Sequence, residues 1–323
     1  MTLSSPANRF KSVSVIIPTL GEPILKQTVE HLLAAEAPVA VEVIIAGLDP
    51  DHLVSGNPSV TFAETPRKYI PAEARNFGAA RASGELFLFL DSDAFVEPDF
   101  FHCLLEAMSE SREVVHGAMN FVDDTAPNLG DNVATFHGMH ISVEACVMEH
   151  NVAAYCLAVT RELFEKMEGF NEGIFMAEDW EFANRVRAAG YFIYFDPILW
   201  ITHHSDRHTG ERVASHARSY AIGNANMLQA GDRLGSKMRV DWFGYIPPLA
   251  AFWSAVQATV HTAKVFRRYP AMRTYKRCAR YVWLFYYSRR RHLFRILAGK
   301  APASPGLQNG ASAFATRSRK VED

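Results

Sequence analysis

The sequence predicts an α/β domain built on a mostly parallel sheet flanked by helices, with a C-terminal basic helical appendage. Short β-branched runs alternate with helical patterns over the first 120 residues, as successive strand–helix units do. Leu86–Leu90, LFLFL, is apolar at every position, which suits a central strand buried on both faces. Charge is also segregated. Residues 1–241 hold 18 Lys/Arg against 33 Asp/Glu, whereas 242–321 hold 15 Lys/Arg and no acidic residue, although the net charge is only −2.

The elements follow in order. Residues 13–17 read as the first strand, stopped by Pro18, and 25–35 carry the apolar spacing of a covering helix. Residues 41–46 and 60–63 read as the second and third strands, and 72–82 as a helix closed by Gly84. The all-apolar strand comes next, then a helix over 98–108. Strands at 114–119, 155–159, 191–195 and 199–203, with helices at 161–167 and 179–188, continue the same domain. Residues 301–321 are weakly hydrophobic, and a disordered tail is expected.

With 323 residues, about half of them apolar, a sizeable core is expected. The four cysteines are widely spaced and form no C-x-x-C pair, which argues against a zinc site or disulfide framework and for a reducing compartment. The first 12 residues lack the apolar run of a secretory signal. A cytoplasmic protein is expected.

The sharpest local signal is ELFLFLDSDAF, an apolar strand ending in Asp91-Ser92-Asp93. Open α/β sheets bind ligands at the carboxyl ends of their strands, and paired carboxylates there suit Mg²⁺ or Mn²⁺ holding phosphate oxygens. Taken alone, a D-x-D triplet is more often a solvated turn. Glu178, Asp179 and Glu181 open a helix. They complement its dipole, or one of them takes a proton from an incoming hydroxyl. His203, His204 and His208 follow a strand, where imidazole can complete a mixed oxygen and nitrogen metal site. Neighbours on a strand point to opposite faces, so at most one of His203 and His204 faces the site.

In this order the residues resemble the family 2 glycosyltransferases with the A-type fold (GT-A), over roughly residues 12 to 230. VSVIIPTLGEP is similar to the family's first strand and donor-binding turn, which puts Pro18, Thr19 and Glu22 on positions lining the nucleotide pocket. EARNFGAARASGELFLFLDSDAFVEPD resembles the family's most recognisable passage. It places Arg75 on the nucleotide-contacting arginine, Asp91 and Ser92 in the donor site, and Asp91 and Asp93 on the metal motif. AEDWEF is similar to the Glu-Asp signature, which makes Asp179 the implied catalytic base, and His203, beyond Pro197, matches the late metal-ligating histidine. Two passages depart from the pattern. IIAGLDPDH replaces the usual Asp-Asp-Gly-Ser turn, so that either Asp49 substitutes in the base and ribose contacts or the base is held differently, and the sequence does not name the nucleotide. The Q-x-x-R-W signature of processive synthases is missing from RSYAIGNANML.

The resemblance implies a GT-A-type sheet binding a nucleotide-diphospho-sugar, and a metal-dependent inverting transferase that moves one sugar to a hydroxyl acceptor. A lipid-linked or polysaccharide glycan is the acceptor expected, and no nucleic acid partner is. A haloacid-dehalogenase-like phosphatase also places D-x-D after an apolar strand. A sugar nucleotidyltransferase needs a Gly-rich, Arg-containing loop that PTLGEP does not provide. A non-catalytic, membrane-bound sugar-nucleotide binding module is the remaining alternative.

The basic region divides into two segments. Residues 246–266 are apolar but include Gln257, His261 and Lys264, which favours an interfacial helix over a spanning one. Residues 281–297 combine aromatics with Arg289, Arg290 and Arg291, the composition of a headgroup-facing segment. The competing reading is a helical pair packed on the catalytic domain. The expected organisation is a catalytic domain over 1–241, a basic aromatic helical region over 242–300 on an anionic inner membrane face, and a disordered 301–323.

Overall fold

The computed structural model describes residues 9–109, 111–122, 124–149, 152–229, 246–268 and 275–302. The expected boundary near residue 241 and the tail from 303 onward lie outside the described residues. The strands are β1 Ser12–Thr19, β2 Ala40–Gly47, β3 Thr61–Glu64, β4 Leu86–Leu90, β5 Ala94–Val96, β6 Val114–Phe121, β7 Cys146–Val147, β8 Cys156–Thr160 and β9 Ile193–His203. The helices are α1 Leu25–Ala34, α2 Pro71–Ala79, α3 Phe100–Ala107, α4 Ala126–Phe136, α5 Arg161–Lys166, α6 Glu178–Ala188, α7 Gly210–Gln229, α8 Pro247–Arg268 and α9 Tyr275–Leu297.

Among the described residues the strands form one sheet in the order β3-β2-β1-β4-β8-β6-β9-β5, with β7 paired to β9. β1 pairs in parallel with β2 and β4, and β2 with β3. Beyond them β8 runs antiparallel to both β4 and β6. The parallel expectation therefore describes the first half of the sheet, and the second half is mixed. The runs at 191–195 and 199–203 join into β9, whose pairing with β6 slips between Gly117 and Ala118. Pro197 sits in the slipped stretch, where a residue without an N–H is tolerated.

Both faces of the sheet are covered. Leu25, Val29 and Leu32 of α1, Phe100 and Leu104 of α3, and Leu129 and Val133 of α4 pack on one face. Ala72 and Ala79 of α2, Leu163 and Phe164 of α5, and Phe182 and Val186 of α6 pack on the other. Helix α4 escapes a periodicity search because Asn128, Asp131 and Asn132 on its buried side are polar. Its start was nonetheless marked: Thr125 Oγ1 accepts the Asn128 N–H, and Pro127 fits the first turn. Helix α7 buries Val213, Ala217, Ala221 and Ala225, a four-residue repeat of mostly small residues.

The appended helices are not peripheral to this core. Val282, Phe285 and Tyr286 of α9 join the cluster beneath α4, and Tyr286 Oη donates to the Ala134 carbonyl at 2.8 Å. Arg290, expected at a lipid surface, is instead 6% exposed and donates to Ser254 Oγ at 2.8 Å and Gln257 Oε1 at 2.6 Å on α8. A buried guanidinium needs such acceptors more than a headgroup contact. Among the described residues no helix is long and apolar enough to cross a membrane.

Gly130 lets α9 approach α4. A Cβ there would lie 2.6 Å from Tyr281 Cβ and 2.8 Å from the Cys278 carbonyl oxygen. Gly130→Ala is therefore expected to destabilise by about 1–3 kcal/mol through overpacking. An uncrowded helical glycine would instead gain up to about 1 kcal/mol from the same change. A denaturation midpoint that rises would refute the tight α4–α9 seam.

Candidate active site

The carboxyl ends of β1, β2 and β4 lie side by side, and their loops build the floor of the site. Gly47 permits this: a Cβ would sit 1.8 Å from the Thr19 carbonyl oxygen. The half-buried Pro18 does not stop β1 as expected but pairs with Ala46 within it, and beyond it Thr19 Oγ1 donates to Glu22 Oε2 at 2.9 Å and the Leu20 N–H to the same oxygen at 3.1 Å. Asp49 turns its carboxylate into its own loop, where it accepts N–H bonds from Leu53, Val54 and Ser55 at 2.8, 3.0 and 2.9 Å. Burial alone would raise the Asp49 pKa, but these donors hold it below the ordinary value. Thr28 Oγ1 of α1 donates to the Ser92 carbonyl at 2.7 Å and pins the D-S-D turn.

Two distant motifs meet on one arginine. Arg75 of α2 is buried, and its Nη2 lies 2.7 Å from Asp91 Oδ1 while its Nη1 lies 2.6 Å from Glu178 Oε1. Burial opposes the guanidinium's charge, yet Asp91 and Glu178 outweigh it and raise its pKa. The next residue, Asn76, holds the loop before α6: its Nδ2 donates to the Phe170 carbonyl at 2.8 Å and its Oδ1 accepts the Phe170 N–H at 2.9 Å. Asp91, which the resemblance counts among the metal ligands, here faces Arg75.

Sheet register brings the second carboxylate to the histidine. β5 follows the D-S-D turn at once and pairs antiparallel with β9, setting Ala94 opposite His203. As a result Asp93 Oδ2 lies 3.2 Å from His203 Nε2. On the other side of the ring, Nδ1 is 3.0 Å from Asn132 Oδ1. Arg207 Nη2 is 3.3 Å from the same Nε2, and Arg207 Nε pairs with the fully buried Asp131 at 2.7 Å. His216 Nδ1 joins Asp131 at 2.8 Å. Burial would raise the Asp93 pKa, but His203 and Arg207 bring it down to about 2. His204 instead stacks on Phe95, ring centres 4.1 Å apart, and His208 lies 3.2 Å from Thr125 Oγ1.

The acidic start of α6 is aimed by a strained residue. Ala177 has φ +76°, a left-handed value that costs a non-glycine residue about 1–3 kcal/mol and recurs at functional sites. Asp179 Oδ2 accepts the Ala154 N–H at 3.1 Å and its Oδ1 the Trp180 N–H at 2.8 Å. Asp179 is half-buried and partly desolvated. That desolvation and the adjacent Glu178 raise its pKa to about 8 against the pull of Arg75. Glu181 is spent on Arg185 at 2.8 Å.

Residues 14–135 match the family described as Glycosyl transferase family 2. The fold is similar to that of a mannosyltransferase, PcManGT, from Pyrobaculum calidifontis, solved in complex with GDP-Man and Mn2+: 18% identical, TM-score 0.56, 88% of each chain covered. The chain carries a family 2 glycosyltransferase domain of the A-type fold. It is also 24% identical over 212 residues to the pre-mycofactocin glycosyltransferase of two Mycobacterium tuberculosis strains, a match covering 62% of this chain and 44% of theirs. The chain thus spans less than half the length of those relatives.

Within this glycosyltransferase domain, the sequence reading singled out Arg75, Asp91, Asp93, Asp179 and His203 but not what binds them together. Glu178 is the second acid on Arg75, and Asn132, Asp131, Arg207 and His216 form the polar backing of His203. The DRH passage after His203 and the polar residues of 126–136 were the available signals. Among the described residues no group of three or more His, Cys, Asp or Glu side chains forms a ready-made metal cage.

Proposed function

We propose that the chain is a metal-dependent, inverting glycosyltransferase that moves one sugar per encounter from a nucleotide diphosphate donor to a hydroxyl acceptor. The observation that carries this is the sharing of Arg75 by Asp91 of the D-S-D turn and Glu178, next to Asp179. One guanidinium thereby joins the donor motif to the acidic helix start. Pro18, Thr19, Glu22, the loop held by Asp49, Arg75, Asp91 and Ser92 would line the donor pocket.

Asp93 and His203 would hold Mg²⁺ or Mn²⁺. A carboxylate kept ionised lies 3.2 Å from an imidazole nitrogen, a pairing of hard oxygen and borderline nitrogen that suits either ion. Such ions keep positions for substrate phosphates, so two protein ligands are sufficient. When bound, the ion supplies positive charge against the diphosphate leaving group. Asp179 takes the proton of the acceptor hydroxyl as its oxygen attacks the anomeric carbon and the bond to the diphosphate breaks. One displacement inverts the configuration. The acceptor is a lipid-linked or polysaccharide glycan, and the enzyme works from the cytoplasm as a peripheral protein on an anionic inner membrane face.

Loss of the first ligand tests the donor site. A nucleotide sugar at a hundred times its Kd with Mn²⁺ stabilises the fold by about 2.7 kcal/mol, and Asp93→Ala is expected to erase the Mn²⁺-dependent part of that shift. The same shift in the variant would remove Asp93 from the site.

A further inference from the structure

Helix α8 is built inside out. Ser254, Gln257 and His261 turn toward the protein. Arg290 donates to Ser254 Oγ at 2.8 Å and to Gln257 Oε1 at 2.6 Å, and His261 meets the Tyr286 hydroxyl and stacks near His137, ring centres 3.9 Å apart. Ala250, Ala258 and Val265 share that inner side and are buried. Ile246, just before the helix, and Leu249, Phe252, Val256 and Val260 within it are exposed, Phe252 by 63%. They recur every three or four residues and so form one stripe along the outer face. A helix of a water-soluble surface has the opposite arrangement, because exposed apolar area forfeits roughly 25 cal/mol per Å².

The charges around the stripe indicate what covers it. Lys264 and Arg267, also exposed, follow Val260 at the same spacing, and 242–321 contains no acidic residue. A row of apolar side chains ending in cations, on a helix too polar to span, has the chemistry of an in-plane anchor on an anionic bilayer. We infer that the outer face of α8, with Phe252 at its centre and Lys264 and Arg267 at its end, docks the enzyme on a membrane rich in anionic lipid. This deepens the peripheral-membrane reading above and rests on it. It also moves the contact away from Arg290, which is occupied within the α8–α9 seam.

The test uses the full chain and sedimentation with equimolar phosphatidylglycerol/phosphatidylcholine vesicles and with phosphatidylcholine alone. Binding to the anionic vesicles is expected, and Phe252→Ser combined with Val256→Ser should weaken it about ten-fold or more. Lys264→Ala combined with Arg267→Ala should weaken it at low salt and much less at high salt, because screening has already removed that contribution. An unfolding midpoint and nucleotide affinity equal to wild type would show that both pairs remain folded. Vesicle binding that survives the Phe252/Val256 change would overturn this surface while leaving the peripheral reading intact. No vesicle binding by the wild type would overturn both. Wild-type self-association that is lost with Phe252→Ser, without vesicle binding, would assign the stripe to a second copy of the chain.

Discussion

Asp179→Asn is expected to cut the transfer rate by roughly 10²–10⁴-fold while donor affinity stays close to wild type. The amide keeps the size of the side chain but cannot accept the acceptor's proton. In the wild type the rate should climb with pH toward a limb near 8, where the buried Glu178 and Asp179 pair loses its proton. Stability should move the other way. A carboxyl whose folded pKa is raised contributes its full stabilisation below its unfolded value near 4. That contribution is lost as pH rises toward about 8. The wild-type melting temperature should therefore fall across this window relative to that of Asp179→Asn. Parallel melting profiles, or a normal transfer rate in the variant, would leave Asp179 as no more than a helix-start residue.

Removing the shared arginine should have the largest structural effect. Arg75→Met leaves Glu178 buried and Asp91 partly buried with no counter-ion, and breaking a buried pair from one side costs about 3–5 kcal/mol. Chemical denaturation would show it as a lower midpoint with little change in slope. Adding Glu178→Gln to Arg75→Met should recover part of the loss, because the double variant no longer strands that carboxylate. A loss below about 1 kcal/mol for Arg75→Met, within the range of exposed pairs, would show that the network does not hold the two motifs together. Arg75→Lys should rescue only partly, since an ammonium lacks the fork that reaches both acids.

The parallel half of the fold was legible because its signals are local. LFLFL suits a strand buried on both faces, and all five residues are buried in β4, whereas β1 runs past the stop expected at Pro18, which pairs with Ala46 inside the ladder. The D-S-D turn, the acidic start of α6 and the late histidines could be read for the same reason, since each is a short run at the end of an element. What escaped depends on pairing between distant segments. β5 has three residues, too few for a pattern, yet its register decides that His203 and not His204 meets Asp93. Helix α4 was hidden by the polar side chains it buries, Asp131 and Asn132, which are those that back the histidine. The arginine run at 289–291 looked like a headgroup contact, and nothing local indicates that Arg290 is enclosed by Ser254 and Gln257.

Calorimetric titration of UDP- and GDP-hexoses in the presence and absence of Mn²⁺, against wild type, Asp93→Ala and Asp179→Asn, tests the division of labour most directly. The expected result is Mn²⁺-dependent binding of at least one donor by the wild type and by Asp179→Asn, and its loss in Asp93→Ala. Equal, Mn²⁺-independent binding by all three proteins, or loss of binding in Asp179→Asn with retention in Asp93→Ala, would contradict it.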